Sequence, residues 1–315
     1  MARVLITGGC GYIGSVLIPK LLEAGHIITN LDAQWFGLNL PADPELVNFK
    51  IDIRSQAIDF NLFLVDAVIH LANVANDPAG DLNPALTWEV NALATSQLVA
   101  TAKAAGVKQF IYASSGSVYG LSDSPKLTED MPLVPLTAYN KSKMVAERVL
   151  LSYADQMAVQ IIRPGTVCGV SPRQRLDITV NGMVAGACNK KTITVVGGKQ
   201  IRPNIHIEDI TDLIMWMLEN PRLTGVWNAA FENLTGYEIA KLVGDYFEPL
   251  PVVEKTSADR RSYRMNSDKL LKAGFQPRFS VNDAIGDLVE AFISGKITQG
   301  DQCYNVNRMQ RLGIA

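Results

Sequence analysis

Short β-branched runs alternate along the first half of the chain with stretches whose apolar residues recur every three or four positions. Arg3–Thr7 is such a run and enters a cluster of glycines. Tyr12–Ala24 then carries Ile13, Val16, Leu17, Leu21 and Leu22 at helical spacing, and Gly25 is placed to stop it. His26–Leu31 reads as a second strand ending at Asp32. Leu46–Ile51, Asp66–Leu71, Gln109–Ala113 and Val159–Arg163 read as further strands. Ala85–Ala105, closed by Gly106, and Thr137–Asp155 read as long helices. Strand, turn, helix and strand make a right-handed βαβ unit. Its repetition predicts an α/β fold, a doubly wound parallel sheet with helices on both faces.

After Pro164 the texture changes. Gly165–Gly198 mixes glycines, short apolar runs and basic residues; Ile207–Glu219 is amphipathic, Gly225–Ala230 reads as a late strand, and Ser257–Asn266 is polar with Arg260, Arg261 and Arg264 close together. The expected division is a dinucleotide-binding domain over 1–165 and a smaller C-terminal substrate-binding domain over 166–315. Segments around 192–230 are expected to return in part to the first. A chain of 315 residues has room for both.

Composition narrows the partners. Net charge is −2, with no block of Lys and Arg, so a nucleic-acid surface is not expected. No secretory signal is read, and no apolar stretch approaches the ~20 residues of a membrane-spanning helix. Cys10, Cys168, Cys188 and Cys303 are scattered and read as reduced thiols of a cytoplasmic protein. The three histidines lie far apart, and no metal site is suggested.

Gly8, Gly11 and Gly14 form a Gly-x-x-Gly-x-x-Gly turn between the first strand and the first helix. Such a turn lets the backbone approach a pyrophosphate, which the helix N-terminus then attracts. Asp32 follows about 20 residues on, at the end of the next strand, where its carboxylate suits both ribose hydroxyls and repels a 2′-phosphate. No Lys or Arg occurs between Lys20 and Lys50. NAD, rather than NADP, is the expected cofactor, and the sheet is of Rossmann type. Asp52, ending the next strand, could meet the adenine amino group or be a plain strand-end acid.

Tyr139 and Lys143 are four apart, so a helix puts them on one face. A free phenol, with a pKa near ~10, is a poor base at neutral pH, and a neighbouring ammonium is expected to lower that value. Ser115 lies just past the end of the Gln109–Ala113 strand, where ligands bind in open parallel sheets. Ser115, Tyr139 and Lys143 thus make a candidate set for removing a carbinol proton while hydride leaves the same carbon.

These pieces together resemble the extended short-chain dehydrogenase/reductase family, in its nucleotide-sugar epimerase/dehydratase branch. The resemblance rests on Thr7–Gly14, Val68–Ala72, Ser114–Gly120, Tyr139–Lys143, Arg163–Gly165 and Arg202–Asp209. It implies NAD held tightly and a sugar carbon, often C4, that is transiently oxidised. It also implies a cytosolic homodimer joined through a four-helix bundle, here from the helices near 85–105 and 137–155. With the residues above, the expected cofactor set is Gly8, Gly11, Tyr12, Ile13, Gly14, Asp32, Asp52, Ile53, Leu71, Ala72, Asn91, Tyr139, Lys143 and Pro164. The expected substrate set is Asn76, Ser115, Ser117, Thr166, Arg202 and Arg261, the arginines suiting a pyrophosphate. Two departures bear on the reaction. Where the sugar 4,6-dehydratases carry Thr-Asp-Glu, this chain has Ser115-Gly116-Ser117, without the carboxyls that dehydration needs. Where the branch has Arg-Tyr-Phe-Asn, it has Arg163-Pro164-Gly165-Thr166. The leading expectation is a C4-epimerase of a nucleotide sugar. The alternatives are net oxidation or reduction at C4, then dehydration or a non-catalytic dinucleotide sensor.

Overall fold

The computed structural model describes residues 1–315 apart from 56, 57, 59–63, 123, 258, 260 and 315. Six strands carry the alternation read from the first half: β1 (Arg3–Thr7), β2 (Ile27–Asp32), β3 (Leu46–Lys50), β4 (Ala67–His70), β5 (Gln109–Ala113) and β6 (Ala158–Pro164). The helices between them are α1 (Gly14–Glu23), α2 (Asp77–Leu82), α3 (Pro84–Trp88), α4 (Thr95–Ala104) and α5 (Ala138–Leu151). The remainder holds β7 (Thr166–Cys168), β8 (Ile193–Val196), β9 (Ile201–His206), β10 (Gly225–Ala229), β11 (Glu232–Thr235) and β12 (Val252–Lys255). It also holds α6 (Thr179–Lys190), α7 (Ile207–Glu219), α8 (Gly236–Gly244), α9 (Asp268–Lys272), α10 (Val281–Ile293) and α11 (Asn305–Arg311).

The main sheet has the order β10-β6-β5-β4-β1-β2-β3, and every neighbouring pair is parallel. Both faces are covered, so strands read as continuous apolar runs whose alternate residues serve different cores. In β1, Val4 and Ile6 pack with Leu17 and Leu21 of α1 and Leu213 of α7, whereas Leu5 packs with Val99 of α4 and Leu150 of α5. The order reverses between β1 and β4. A crevice opens there at the carboxyl ends of the strands, the place where such sheets bind ligands.

The expected helix over 85–105 is a single rod from Pro84, but its middle, Glu89–Ala94, is a π turn. The smaller part is built from the three-stranded sheet β11-β9-β7 and the pair β12-β8, packed on α6, α8 and α10. Of the stretch expected to return, β10 joins the main sheet and α7 its core, against which Ile205 of β9 also packs, while β8 and β9 pair within the smaller sheets. Among the described residues no helix is long and apolar enough to cross a membrane.

Candidate active site

The glycine turn leaves β1 at Gly8 with φ +77°. A Cβ there would lie 2.5 Å from the Ala72 backbone nitrogen, and one on Gly14 would lie 2.5 Å from Gly9 Cα. Neither position can carry a side chain while the turn and the loop after β4 stay this close. The Asp32 carboxylate accepts from the backbone N–H of Cys10 (2.9 Å) and of Gln34 (2.7 Å). Burial raises its pKa, while those N–H groups and the charge of Arg173 pull it down.

A cavity of about 370 Å³ runs from this turn past the ends of β4, β5 and β6 to Arg202 and Tyr263. It is lined by Gly8, Gly11, Tyr12, Ile13, Gly14, Asp32, Asp52, Ile53, Leu71, Ala72, Tyr139, Lys143 and Pro164 of the expected cofactor set. Asn76, Ser115, Ser117, Thr166, Arg202 and Arg261 of the substrate set line it as well. Asn91 is the exception. Its side chain accepts from Val74 N (2.8 Å) and donates to Val74 O (3.1 Å) and Ser142 Oγ (3.2 Å). It ties the loop after β4 to α5, behind the cavity wall, and the π turn is where its rod meets that loop. Asp52 is held by the Arg54 guanidinium at 2.8 Å, which also reaches Glu89 at 2.7 Å. Arg260 lies outside the described residues.

α5 begins at a capping box between Thr137 and Asn140. Its first turns aim Tyr139 and Lys143 at the crevice, both buried. The Lys143 ammonium donates to Ala113 O (2.7 Å) and lies 4.7 Å from the centre of the Tyr112 ring. Ser115 accepts from the Ser117 backbone N–H (3.2 Å), and its Oγ lies 2.8 Å from Ser117 Oγ. The expectation that the ammonium would lower the phenol is not met in the protein alone. Burial pushes Tyr139 up to about 12; hydrogen bonding from Ser115 pulls the other way, and the Asp77 carboxylate adds to the rise. Burial likewise pushes Lys143 down to about 7, against the pull of Glu147. Dry walls outweigh the nearby charge.

His70 stands beneath the site. Thr95 Oγ1 donates to Asn91 O at 2.8 Å, so it accepts from His70 Nε2 (2.8 Å), while Thr7 Oγ1 donates to His70 Nδ1 (2.6 Å). Burial, then the Lys143 charge, lowers its pKa to about 3, so the ring is neutral.

At the far end Arg202 and Arg261 share the Asp259 carboxylate at 3.0 and 2.7 Å, and Arg261 also holds Asp77 at 2.7 Å. Asp77 further accepts from Thr137 Oγ1 (2.5 Å) and Asn140 Nδ2 (3.0 Å). Several lining residues escaped the sequence reading: Trp35, Phe36, Arg173, Arg175, Asn305 and Met309. Arg173 and Arg175 stood in a stretch read only as basic. Nothing local marks Asn305, which arrives from the other end of the chain.

A glycine turn at the start of α1, an acid at the end of β2 and a half-buried serine beside a buried tyrosine and lysine at one switch point fit a nicotinamide-dependent enzyme of the Rossmann class. Residues 4–230 match the model of the NAD dependent epimerase/dehydratase family, and the chain belongs to that family. Its cofactor is NAD. The chain is 29% identical over 302 residues to UDP-arabinose 4-epimerase 1 of Arabidopsis thaliana, covering 79% of this chain and 72% of that one. It is 25% identical over 312 residues to UDP-glucose 4-epimerase of Lactobacillus helveticus, covering 90% and 94%. The solved structure of MoeE5 in complex with UDP-glucuronic acid and NAD shares the fold, with a TM-score of 0.84 at 24% identity over 94% of this chain and all of that one.

Proposed function

We propose that this protein is a C4-epimerase of a nucleotide sugar. The observation that carries this reading is the absence of a free carboxylate at the reacting end of the cavity. Among the described lining residues, Asp32 and Asp52 sit at the end where the glycine turn lies, and Asp77 is held by Thr137, Asn140 and Arg261. Dehydration needs a second acid and base; inversion through a ketone needs only one proton carrier. Bound NAD supplies a hydride acceptor that can give back what it takes.

The chain's own residues do the rest. Tyr139 takes the carbinol proton and later returns it, Ser115 orients the shared hydroxyl, and Lys143 balances the phenolate. Arg202 and Arg261 take the substrate diphosphate, exchanging the shared Asp259 for phosphate oxygens while Arg261 keeps Asp77. The relatives named above as 4-epimerases support the substrate class. Nuclear magnetic resonance of products from UDP-, GDP- and dTDP-sugars tests the reading: one inverted carbinol centre is expected, without accumulation of NADH. Stoichiometric NADH would assign net oxidation instead. Tyr139→Phe should lower turnover by ~10²–10⁴ while NAD stays bound; an unchanged rate removes Tyr139 from the chemistry.

We also place the protein in the cytoplasm, where free thiols such as Cys10 and Cys168 persist, and pair it with a second copy through α3–α4 and α5.

A further inference from the structure

The loop 169–178 brings into the cavity a charge that the reaction above does not use. Arg173 is 4% exposed and lines the cavity. Its guanidinium carbon lies 3.8 Å from the centre of the Phe36 ring, and its Nη2 donates to Asn305 Oδ1 at 2.5 Å. Its Nε has no partner among the described residues. Among the described residues no carboxylate lies within ion-pair distance of it, whereas its neighbour Arg175 holds Asp177 at 2.8 Å. A buried cation without a counter-charge is unfavourable, and the protein holds this one in place from three sides. Burial, then the charge of Arg175, lowers its pKa to about 9, so it remains a cation at neutral pH.

Its surroundings identify the missing anion. The Arg173 backbone N–H donates to Ser15 Oγ (3.3 Å) in the first turn of α1, and Ser171 Oγ donates to Tyr12 O (2.8 Å). The loop is therefore fastened onto the glycine turn and the helix start, where phosphate oxygens are favoured. The charge of Arg173 also reaches Asp32, the ribose-binding acid. Phosphates attached to that ribose are the nearest anion the site is built to receive.

One element spans this end of the cavity. Asn305 of α11, besides holding Arg173, donates through Nδ2 to Ala75 O (3.0 Å) and through its backbone N–H to Asp177 (3.0 Å). Arg308 Nε donates to Trp35 O (2.7 Å), and Met309 is buried among Ile53, Val74 and Val90. α11 thus ties together the loops that follow β2, β4 and β7, and it lies outside the residues the family model matches.

We infer that Arg173 clamps the diphosphate of the bound NAD and that α11 latches this clamp, so that the cofactor stays in place from one turnover to the next. Retention suits an enzyme that gives its hydride back, although the inference rests only on NAD being the cofactor and not on which sugar reacts.

The test is equilibrium binding of NAD, ADP-ribose and UDP to the full chain, with NAD release followed by exchange against etheno-NAD. Arg173→Gln should weaken NAD and ADP-ribose at least tenfold and leave UDP within twofold. Arg173→Lys should recover most of the loss, since a phosphate accepts a point charge. Asn305→Asp gives the guanidinium a carboxylate and should weaken the same two ligands even if Arg173→Gln does not fold. Arg308→Met, which frees α11 from Trp35, should speed NAD release severalfold. Unchanged ADP-ribose binding in Arg173→Gln or in Asn305→Asp overturns the clamp, as does a loss confined to UDP. Unchanged release in Arg308→Met overturns the latch.

Discussion

Tyr139 and Lys143 lie one helical turn apart on α5, and their protons count together. Burial holds the phenol at about 12 and the ammonium at about 7, so between those values the two groups together carry one proton. Phenolate with ammonium has the same proton count as phenol with amine, and so the productive charge state becomes available only once one proton has left the pair. kcat/KM should therefore climb through pH ~7. Lys143→Met should move the climb of its residual activity to the phenol's own range, above pH 9; a limb that stays near 7 in this variant would sink the assignment. The same shift bears on stability. The folded value of Lys143 lies below its unfolded value of 10.5. From pH 7 to 10.5 the unfolded chain binds more protons, so stability from this group rises with pH; below 7 the full cost of the buried charge is present. Lys143→Met should flatten that rise by up to ~1.4 kcal/mol per pH unit, read by urea unfolding at pH 7 and pH 9. The four-residue spacing showed that these two side chains share a face. It could not show that the face is dry, because dryness comes from β4, β5 and the loop at 169–178, which no local pattern brings together.

At the scale of elements, the site is braced from behind by a buried ion pair. Glu147, one turn after Lys143 on α5, holds the Arg163 guanidinium of β6 at 2.7 Å, and both are nearly inaccessible. Ser114 at the end of β5 donates to the same carboxylate, while Arg163 Nη1 donates to Tyr119 OH (2.9 Å), which donates to Asn228 of β10 (2.7 Å). Four elements thus meet on one network, and leaving Arg163 without its partner is costly. Glu147→Ala should lower stability by ~3–5 kcal/mol, whereas Glu147→Met with Arg163→Met should recover most of it. Thermal unfolding of both variants decides; equal losses would make packing, not charge, the brace. The Arg163-Pro164-Gly165 segment is legible as a motif, but this role for its arginine is not. The rod over 85–105 was legible from its period, but its π turn was not. That turn accompanies the Asn91 contacts with Val74 and Ser142, the latter 51 positions away, and a distant partner leaves no mark on local periodicity.

The whole molecule was most legible where the chain folds onto its own recent past. β1, α1 and β2 are successive, and the glycine turn and Asp32 fall at their junctions, so chain order alone brought these residues to one end of the cavity. Legibility failed where contacts span the chain: Arg308 meets Trp35 across 273 positions, and no pattern near either residue announces it. Assembly belongs to this largest scale. Leu93, on the π turn between α3 and α4, is 60% exposed, and Leu136, just before α5, is 42% exposed. Large apolar side chains left bare beside two helices that otherwise pack into one core are what a second copy would cover. A symmetric pairing through these helices places the same Leu93 on both sides of one interface, so a single substitution acts twice. Sedimentation of the full chain at micromolar concentration should give about twice the 34.3 kDa of one chain, and Leu93→Arg should return it to a single copy with its fold and NAD binding intact. A wild-type monomer, or a Leu93→Arg chain that still pairs, would move the interface away from α3–α4 and α5.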